Sequence, residues 1–206
     1  YLMYLNRKSR RILVENQMLR TANLVNQYES LKSQLNPHML FNSLNTLNSL
    51  IRETPGKAQD YLQELSKVLR YSLQESDSHR VTLEEEMNFV RSYMYLLQMR
   101  FEENLVFEVE VAPEALSKTL PPVSVQLLVE NAVKHNEISN RHPLHIRIRA
   151  DKDSLSVSNP IQPKLTASSG THIGLSNLSK RYQLLFGREI EVKEEKNHFI
   201  VILPLI

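Results

Sequence analysis

Hydrophobic positions along the first half of the chain recur at helical spacing. Leu5, Ile12 and Leu19 keep a heptad, and Leu24, Tyr28, Leu31 and Leu35 form a second seam at four-three-four spacing. The phase shifts between the two seams as at a coiled-coil stutter. Asn16, Asn23 and Asn26 make the stripe polar, which predicts a marginal two-stranded coil or a plain dimerisation stalk over residues 5–35. A second helix is predicted from about Pro37 to Arg52, broken at Thr54-Pro55-Gly56. Residues 57–76 place Ala58, Leu62, Leu65, Leu69 and Leu73 on one face, again helical. Two such antiparallel helices bury little alone, so pairing with a second copy into a four-helix bundle is the expected solution. Thr82 and Glu85 form a capping-box pair that opens a helix over about 83–101.

The period then changes from helical to alternating. Residues 106–111, 144–148, 155–157, 190–192 and 199–203 read as strands, with a turn near Lys196-Asn197. Helices at about 122–136 and 174–186 interrupt them. This order predicts an α+β class, a sandwich with helices on one sheet face. The stretch from Pro160 to His172, rich in Pro, Ser and Thr, reads as a long mobile loop.

Composition narrows the function classes. A chain of 206 residues holds one large domain or two small ones. A net charge of +2 without a basic-aromatic stripe argues against nucleic acid as a partner. Zero cysteines exclude disulfides and thiolate chemistry. No stretch reaches the roughly 20 apolar residues of a membrane span. Tyr1-Leu2-Met3-Tyr4-Leu5 followed by Arg7, Lys8, Arg10 and Arg11 nevertheless looks like the cytoplasmic edge of a transmembrane helix, and the chain starts without Met. The expectation is therefore the cytoplasmic portion of an inner-membrane protein.

Candidate chemistry concentrates in three places. In Gln34–Asn45, Asn36 suits a cap and Pro37 a first helical position, which puts His38 in the first turn. There the helix dipole favours neutral, nucleophilic imidazole, and Asn42 follows one turn on along the same face. In Leu128–His135, Asn131 lies mid-helix with Lys134 one turn further and His135 beside it. In Gly170–Leu178, the run from Gly170 and Thr171 to Gly174 precedes a helix whose apolar face carries Leu175, Leu178, Tyr182 and Leu185, with Arg181 beyond. Small residues and free N–H groups at a helix start are what backbone approach to phosphates requires.

These motifs resemble, in order, the phosphoacceptor segment of LytS/YehU-like sensor histidine kinases and the asparagine and glycine-rich boxes of the GHKL nucleotide-binding fold. The resemblance spans about residues 31–206. It implies a membrane-proximal signalling helix or coiled coil over 1–35, a dimerising phosphotransfer hairpin over 36–80 and a GHKL-type ATP-binding domain over 81–206. It implies Mg2+ on the Asn131 carbonyl oxygen between ATP phosphates, Lys134 and His135 near the phosphates, and Gly170 to Leu175 as phosphate cradle and lid hinge. ATP would phosphorylate His38 in a homodimer, with Asn42 orienting the ring, the phosphoryl group or a water. A response-regulator receiver domain would then take the phosphoryl group onto an aspartate.

Two departures from the family pattern stand out. The aspartate that accepts the adenine amine is matched by Asn159 within Val157-Ser158-Asn159-Pro160-Ile161, where no glycine follows, and His172 stands where many relatives carry glycine. They keep open a degenerate nucleotide-binding relay without kinase activity. An ATP-hydrolysing clamp is disfavoured, because Leu127, one turn before Asn131, supplies no carboxylate. Elsewhere, Lys164 reads as a solvated loop lysine, though one with reach toward phosphate. Glu84-Glu85-Glu86 reads as a charge cluster suited to a helix N-terminus. His142 and His145 lack the cysteines or carboxylates of a zinc set, and His79 and His198 read as solvated turn residues.

Overall fold

The computed structural model describes residues 37–74, 79–164 and 173–206. The stalk expected over 1–35, and Gly170, Thr171 and His172, lie outside the described residues. Contacts divide the chain into two compact units, Tyr1–Phe41 and Asn42–Ile206. The architecture described belongs to the second unit, apart from the first residues of helix α1.

Helix α1 (Pro37–Glu53) and helix α2 (Pro55–Gln74) are separated by Thr54 alone. The Thr54 amide still donates to the Leu50 carbonyl (2.8 Å), and the Thr54 carbonyl accepts from the amides of Lys57 (3.0 Å) and Ala58 (3.3 Å). Pro55 opens α2 instead of ending a loop, because its fixed φ suits a first helical position. The buried face of α2 is Ala58, Tyr61, Leu65 and Val68, whereas Leu62 is half exposed. The expected stripe through Leu62 is therefore rotated, because α2 lays its Tyr61 face toward helix α3.

Strand β1 (Val81–Thr82) leads into α3 (Leu83–Phe101). The capping box is present: the Thr82 hydroxyl accepts the Glu85 amide, and the Glu85 carboxylate accepts the Thr82 amide at 2.8 Å. α3 buries more than half of its circumference, including Met87, Phe89, Val90, Tyr93, Met94, Leu96 and Leu97, and leaves a stripe through Glu84, Asn88, Arg91 and Gln98 exposed. It must do so, because it contacts α2, helix α4 and strand β2.

The remaining elements are β2 (Leu105–Val111), β3 (Thr119–Leu120), α4 (Ser124–His135), β4 (Leu144–Ala150), β5 (Ser154–Pro160), α5 (Ile173–Phe186), β6 (Glu191–Glu195) and β7 (His198–Pro204). Short 3-10 turns fill Glu102–Asn104 and Pro113–Ala115, and β3 pairs antiparallel with β1. The main sheet runs β2-β4-β5-β7-β6, parallel only between β2 and β4. A parallel pair needs a crossover, and α4 supplies it. Lys196 and Asn197 both have positive φ (49° and 63°), the primed turn that suits a tight hairpin between β6 and β7.

Side chains alternate across the sheet. Leu144, Ile146, Ile148, Leu155, Val157, Val201 and Leu203 are buried on one face. The helix layer against them includes Val125, Leu128, Val129 and Ala132 of α4 and Leu178 and Tyr182 of α5. The outer face carries cross-strand pairs, Arg147 to Glu108 (2.7 Å) and Arg149 to Glu110 (2.9 Å), both exposed and of small energetic consequence. The fold is thus the α+β sandwich expected. One expectation changes: residues 160–164 are not free loop, since Pro160 ends β5 and Pro163 bridges Asn136. Among the described residues no helix is long and apolar enough to cross a membrane.

Ile146, fully buried mid-sheet, gives a direct check on this core. Ile146→Ala should destabilise the protein by about 2–5 kcal/mol in urea unfolding with an unchanged m-value. A loss below about 1 kcal/mol would mean that the inner sheet face is not the core.

Candidate functional site

The site is organised by α4. Its sheet-facing positions Val125, Leu128, Val129 and Ala132 are buried, which leaves Leu127, Asn131 and Lys134 on another face at i, i+4 and i+7. Asn131 is half-buried and Lys134 exposed. The start of α5 lies on this same face, for a Cβ built on Gly174 would meet the Leu127 side chain at 3.8 Å. Leu175 follows, half-buried. Asn131, Lys134, Gly174 and Leu175 are thereby brought to one side of α4. A 3.8 Å contact is ordinary packing, so local sterics at Gly174 do not themselves demand glycine. His135, at the end of α4, is half-buried.

Asn159 reaches the region from the sheet. It is the last inward-facing residue of β5, 4% exposed, and so looks into the helix layer near the end of α4. Its Nδ2 donates to the Pro160 carbonyl at 2.7 Å. That bond fixes which end of the amide is occupied and leaves acceptance to Oδ1.

Two groups fix the far end of α4, Asn136, which sequence reasoning passed over, and Lys164, to which it gave no structural part. Asn136, 5% exposed, donates through Nδ2 to the Ala132 carbonyl (2.8 Å), while its Oδ1 accepts the Gln162 amide (2.7 Å). The Glu137 amide donates to the Gln162 carbonyl (2.7 Å), which completes the bridge. Lys164 is exposed, as a loop lysine should be, but it is engaged: its Nζ donates to the carbonyls of Val133 (3.1 Å) and Lys134 (2.8 Å). An ammonium on the last carbonyls of a helix also offsets the negative end of its dipole. Partial burial, then the nearby Arg100 charge, lower the Lys164 pKa. A lysine nine residues before a helix gives no sequence signal of this cap, because the partner carbonyls lie about thirty residues upstream.

The near end of α4 departs more sharply from expectation. Glu84 and Glu85 are exposed, as a helix-start charge cluster should be, but Glu86 is fully buried. Its Oε1 accepts the Val125 amide at 2.9 Å, and its Oε2 accepts the Val123 amide at 2.9 Å and the Tyr71 hydroxyl at 3.1 Å. Glu86 thus caps a helix other than its own. Burial drives its pKa up to about 7, against the lowering effect of these donors. Arg181 of α5 donates to the Pro122 carbonyl at 3.0 Å, on the same turn.

His38 is the second residue of α1, and its side chain lies outside the described residues. Asn42 is half-buried in the next turn, and its carbonyl accepts the Thr46 hydroxyl at 3.1 Å. An open groove of about 460 Å³ lies elsewhere, between α2 and α3. It is lined by Asp60, Glu64, Lys67, Asn88, Arg91 and Tyr95 among others, and no candidate residue borders it. His142 meets Glu137 at 3.3 Å on the surface, and among the described residues no group of three or more His, Cys, Asp or Glu is arranged for a metal.

Residues 26–105 match the family model described as histidine kinase. The chain is 32% identical over 186 residues to the sensor histidine kinase/phosphatase LytS of Staphylococcus aureus strains MRSA252 and Mu50, an alignment covering 82% of this chain and 32% of each relative. It therefore spans about a third of the length of the curated relatives it matches. Among solved structures, the catalytic domain of histidine kinase ThkA is similar with a TM-score of 0.45 at 19% identity, covering 61% of this chain and 93% of that one. The cytoplasmic segment of histidine kinase QseC is similar with a TM-score of 0.46 at 14% identity, covering 73% and 93%.

Two measurements test the two ends of α4. Asn136→Ala removes both sides of a buried amide bridge and should cost about 2 kcal/mol in denaturant unfolding. A surface-like change under about 0.5 kcal/mol would contradict the bridge. For Glu86, the folded pKa lies above the ordinary value, so the folded protein keeps a proton that the unfolded chain has already lost. Stability from this group should therefore fall as pH rises from about 4.5 to about 7, by roughly 3 kcal/mol, and then level off. Urea unfolding at pH 5 and pH 8 should show this fall in wild type and not in Glu86→Gln.

Proposed function

From the premise that this chain belongs to the histidine kinase family, we propose that it is the cytoplasmic core of a membrane-anchored two-component sensor, which phosphorylates His38 from Mg-ATP and passes the phosphoryl group to an aspartate of a response-regulator receiver domain. The observation that carries the reading is the convergence of Asn131, Lys134, Gly174 and Leu175 on one side of α4, with Asn159 facing inward from β5.

In this reading the pocket lies between α4, the start of α5 and the end of β5. The Asn159 Oδ1 accepts from the adenine amine, which a neutral amide does less strongly than a carboxylate. Lys134 and His135 face the phosphates from the last turn of α4, Gly174 offers its backbone N–H at the start of α5, and the family pattern adds those of Gly170 and Thr171. The donor chemistry fits Mg2+, which is held by one or two protein oxygens together with phosphates and does not need a protein cage. The Asn131 carbonyl oxygen would be that ligand, and the ion, when bound, neutralises charge on the phosphates. Catalysis is then mostly positioning: Lys134 and the helix start would hold the γ-phosphoryl group for transfer to a ring nitrogen of His38. That nitrogen attacks phosphorus as neutral imidazole, the P–O bond to ADP breaks, and Asn42 steers the ring.

The dimer and the hairpin belong to the same proposal. Phe41, Leu44, Ile51 and Leu62 of α1 and α2 are each about half exposed or more. Apolar residues at helical spacing on a hairpin support closure by a second copy into a four-helix bundle. The proposed boundaries are signalling helix 1–35, phosphotransfer hairpin 36–80 and ATP-binding domain 81–206. A second reading, a nucleotide-binding relay without kinase activity, is favoured by one observation: the Asn159 amide is neutral and engaged by the carbonyl of Pro160.

Incubation with γ-labelled ATP and magnesium separates the two. The kinase reading expects acid-labile, alkali-stable label that is absent from His38→Gln, and a loss of Mg-ATP binding of at least about tenfold in Asn131→Ala. Nucleotide binding without label in the wild type would favour the relay.

A further inference from the structure

The start of α4 is strained and held from outside. Val123, its N-cap, sits in the left-handed region at φ 66° and ψ 11°. A β-branched residue is disfavoured there because its Cβ crowds the following carbonyl. Three side chains keep the turn in place. The Ser124 hydroxyl donates to the Pro121 carbonyl at 2.6 Å, and Arg181 of α5 donates to the Pro122 carbonyl at 3.0 Å. The Glu86 carboxylate of α3 accepts the amides of Val123 and Val125, both at 2.9 Å. The first two draw on neighbouring backbone and on α5. The third reaches further, because the same Oε2 also accepts the Tyr71 hydroxyl of α2. Tyr71 is itself fixed by stacking on Phe89, with ring centroids 4.1 Å apart and planes at 15°. One carboxylate therefore joins the hairpin helix α2 to the first turn of α4.

We infer that Glu86 is a positioning residue through which the hairpin sets the placement of the nucleotide helix: Tyr71 aims the carboxylate, the carboxylate holds Val123 in its strained conformation, and α4 carries that placement to Asn131. The inference rests on the reading of α4 as the nucleotide helix. The physical ground is that a buried carboxyl group cannot shift without its donors, since each bond lost leaves a polar atom unsatisfied in the interior. Strain at Val123 adds direction, for the turn relaxes away from its present form once the clasp opens. Tyr182 of α5, fully buried with an unpartnered hydroxyl, and the unpartnered Oε1 of Gln126 stand nearby. The first turn of α4 is thus a place where hydrogen bonding is incomplete in this arrangement, as a turn with a second arrangement requires.

Amide hydrogen exchange and equilibrium Mg-ATP binding on the whole chain test this, in wild type, Tyr71→Phe and Glu86→Gln. Tyr71→Phe keeps the aromatic stack and removes only the hydroxyl, so it stays folded even if Glu86→Gln does not. Exchange should quicken in both variants at Val125 to Leu128 and not in β4 or β5. The Mg-ATP Kd should rise about threefold in Tyr71→Phe and about tenfold in Glu86→Gln. Any loss of autophosphorylation rate at saturating ATP should come with this rise in Kd, since α4 carries both the Mg-ATP ligand Asn131 and the γ-phosphoryl contact Lys134. A merely structural role predicts the opposite split, a lower rate at unchanged Kd with exchange faster everywhere, and that result would overturn the inference. So would an unchanged first turn of α4 in both variants, whatever the nucleotide result. Failure of the wild type to bind Mg-ATP would instead remove the nucleotide reading on which the inference stands.

Discussion

A carboxylate with no access to water is the constraint on which the helical layer depends. Glu86 is buried among apolar neighbours at the junction of α2, α3 and α4, where an ionised group is costly unless every lone pair is engaged. Two backbone amides and a phenolic hydroxyl engage it. Those amides are the orphan donors at the start of α4, which otherwise has no capping side chain, since Val123 cannot supply one. The two deficits cancel: a helix start needing acceptors meets a carboxylate needing donors. The arrangement also explains why Val123 tolerates an unfavourable backbone, because bonds from two other helices hold its turn.

The opposite end of α4 is fixed by a different device with the same logic. Orphan carbonyls there meet the Lys164 ammonium and the Asn136 amide, and Asn136 also carries the segment after β5 back to the helix. α4 is therefore pinned at both termini and packed along its length on β4 and β5. A helix held in that way presents Asn131 and Lys134 at a defined place, which is what a site that works by positioning requires. The sheet, by contrast, is an ordinary one-sided core with its polar face outward.

Much of this was legible in the chain. Thr82 and Glu85 announced the start of α3 to the residue, because a capping box is a local pattern. Alternation located β2, β4, β5, β6 and β7, and Lys196-Asn197 marked the hairpin turn. Asn131 and Lys134 stood out because they keep helical spacing, and the start of α5 packs against Leu127 on the same face of α4. Leu62 shows where pattern reading fell short, since spacing gave a helix but could not choose between two apolar faces, one for α3 and one left open. β1 and β3, each two residues long, carry too little pattern to be seen.

Sequence alone determined the order and type of the longer elements and the α+β class, because helix caps, periods and turn residues act over a few positions. Only the tertiary structure decided that Glu86 leaves its own charged cluster to cap another helix, that Lys164 seals the end of α4, and that Val123 is left-handed. Each of those depends on partners between about thirty and forty residues away, or on strain that other elements restrain, and no local pattern records who the distant partner is.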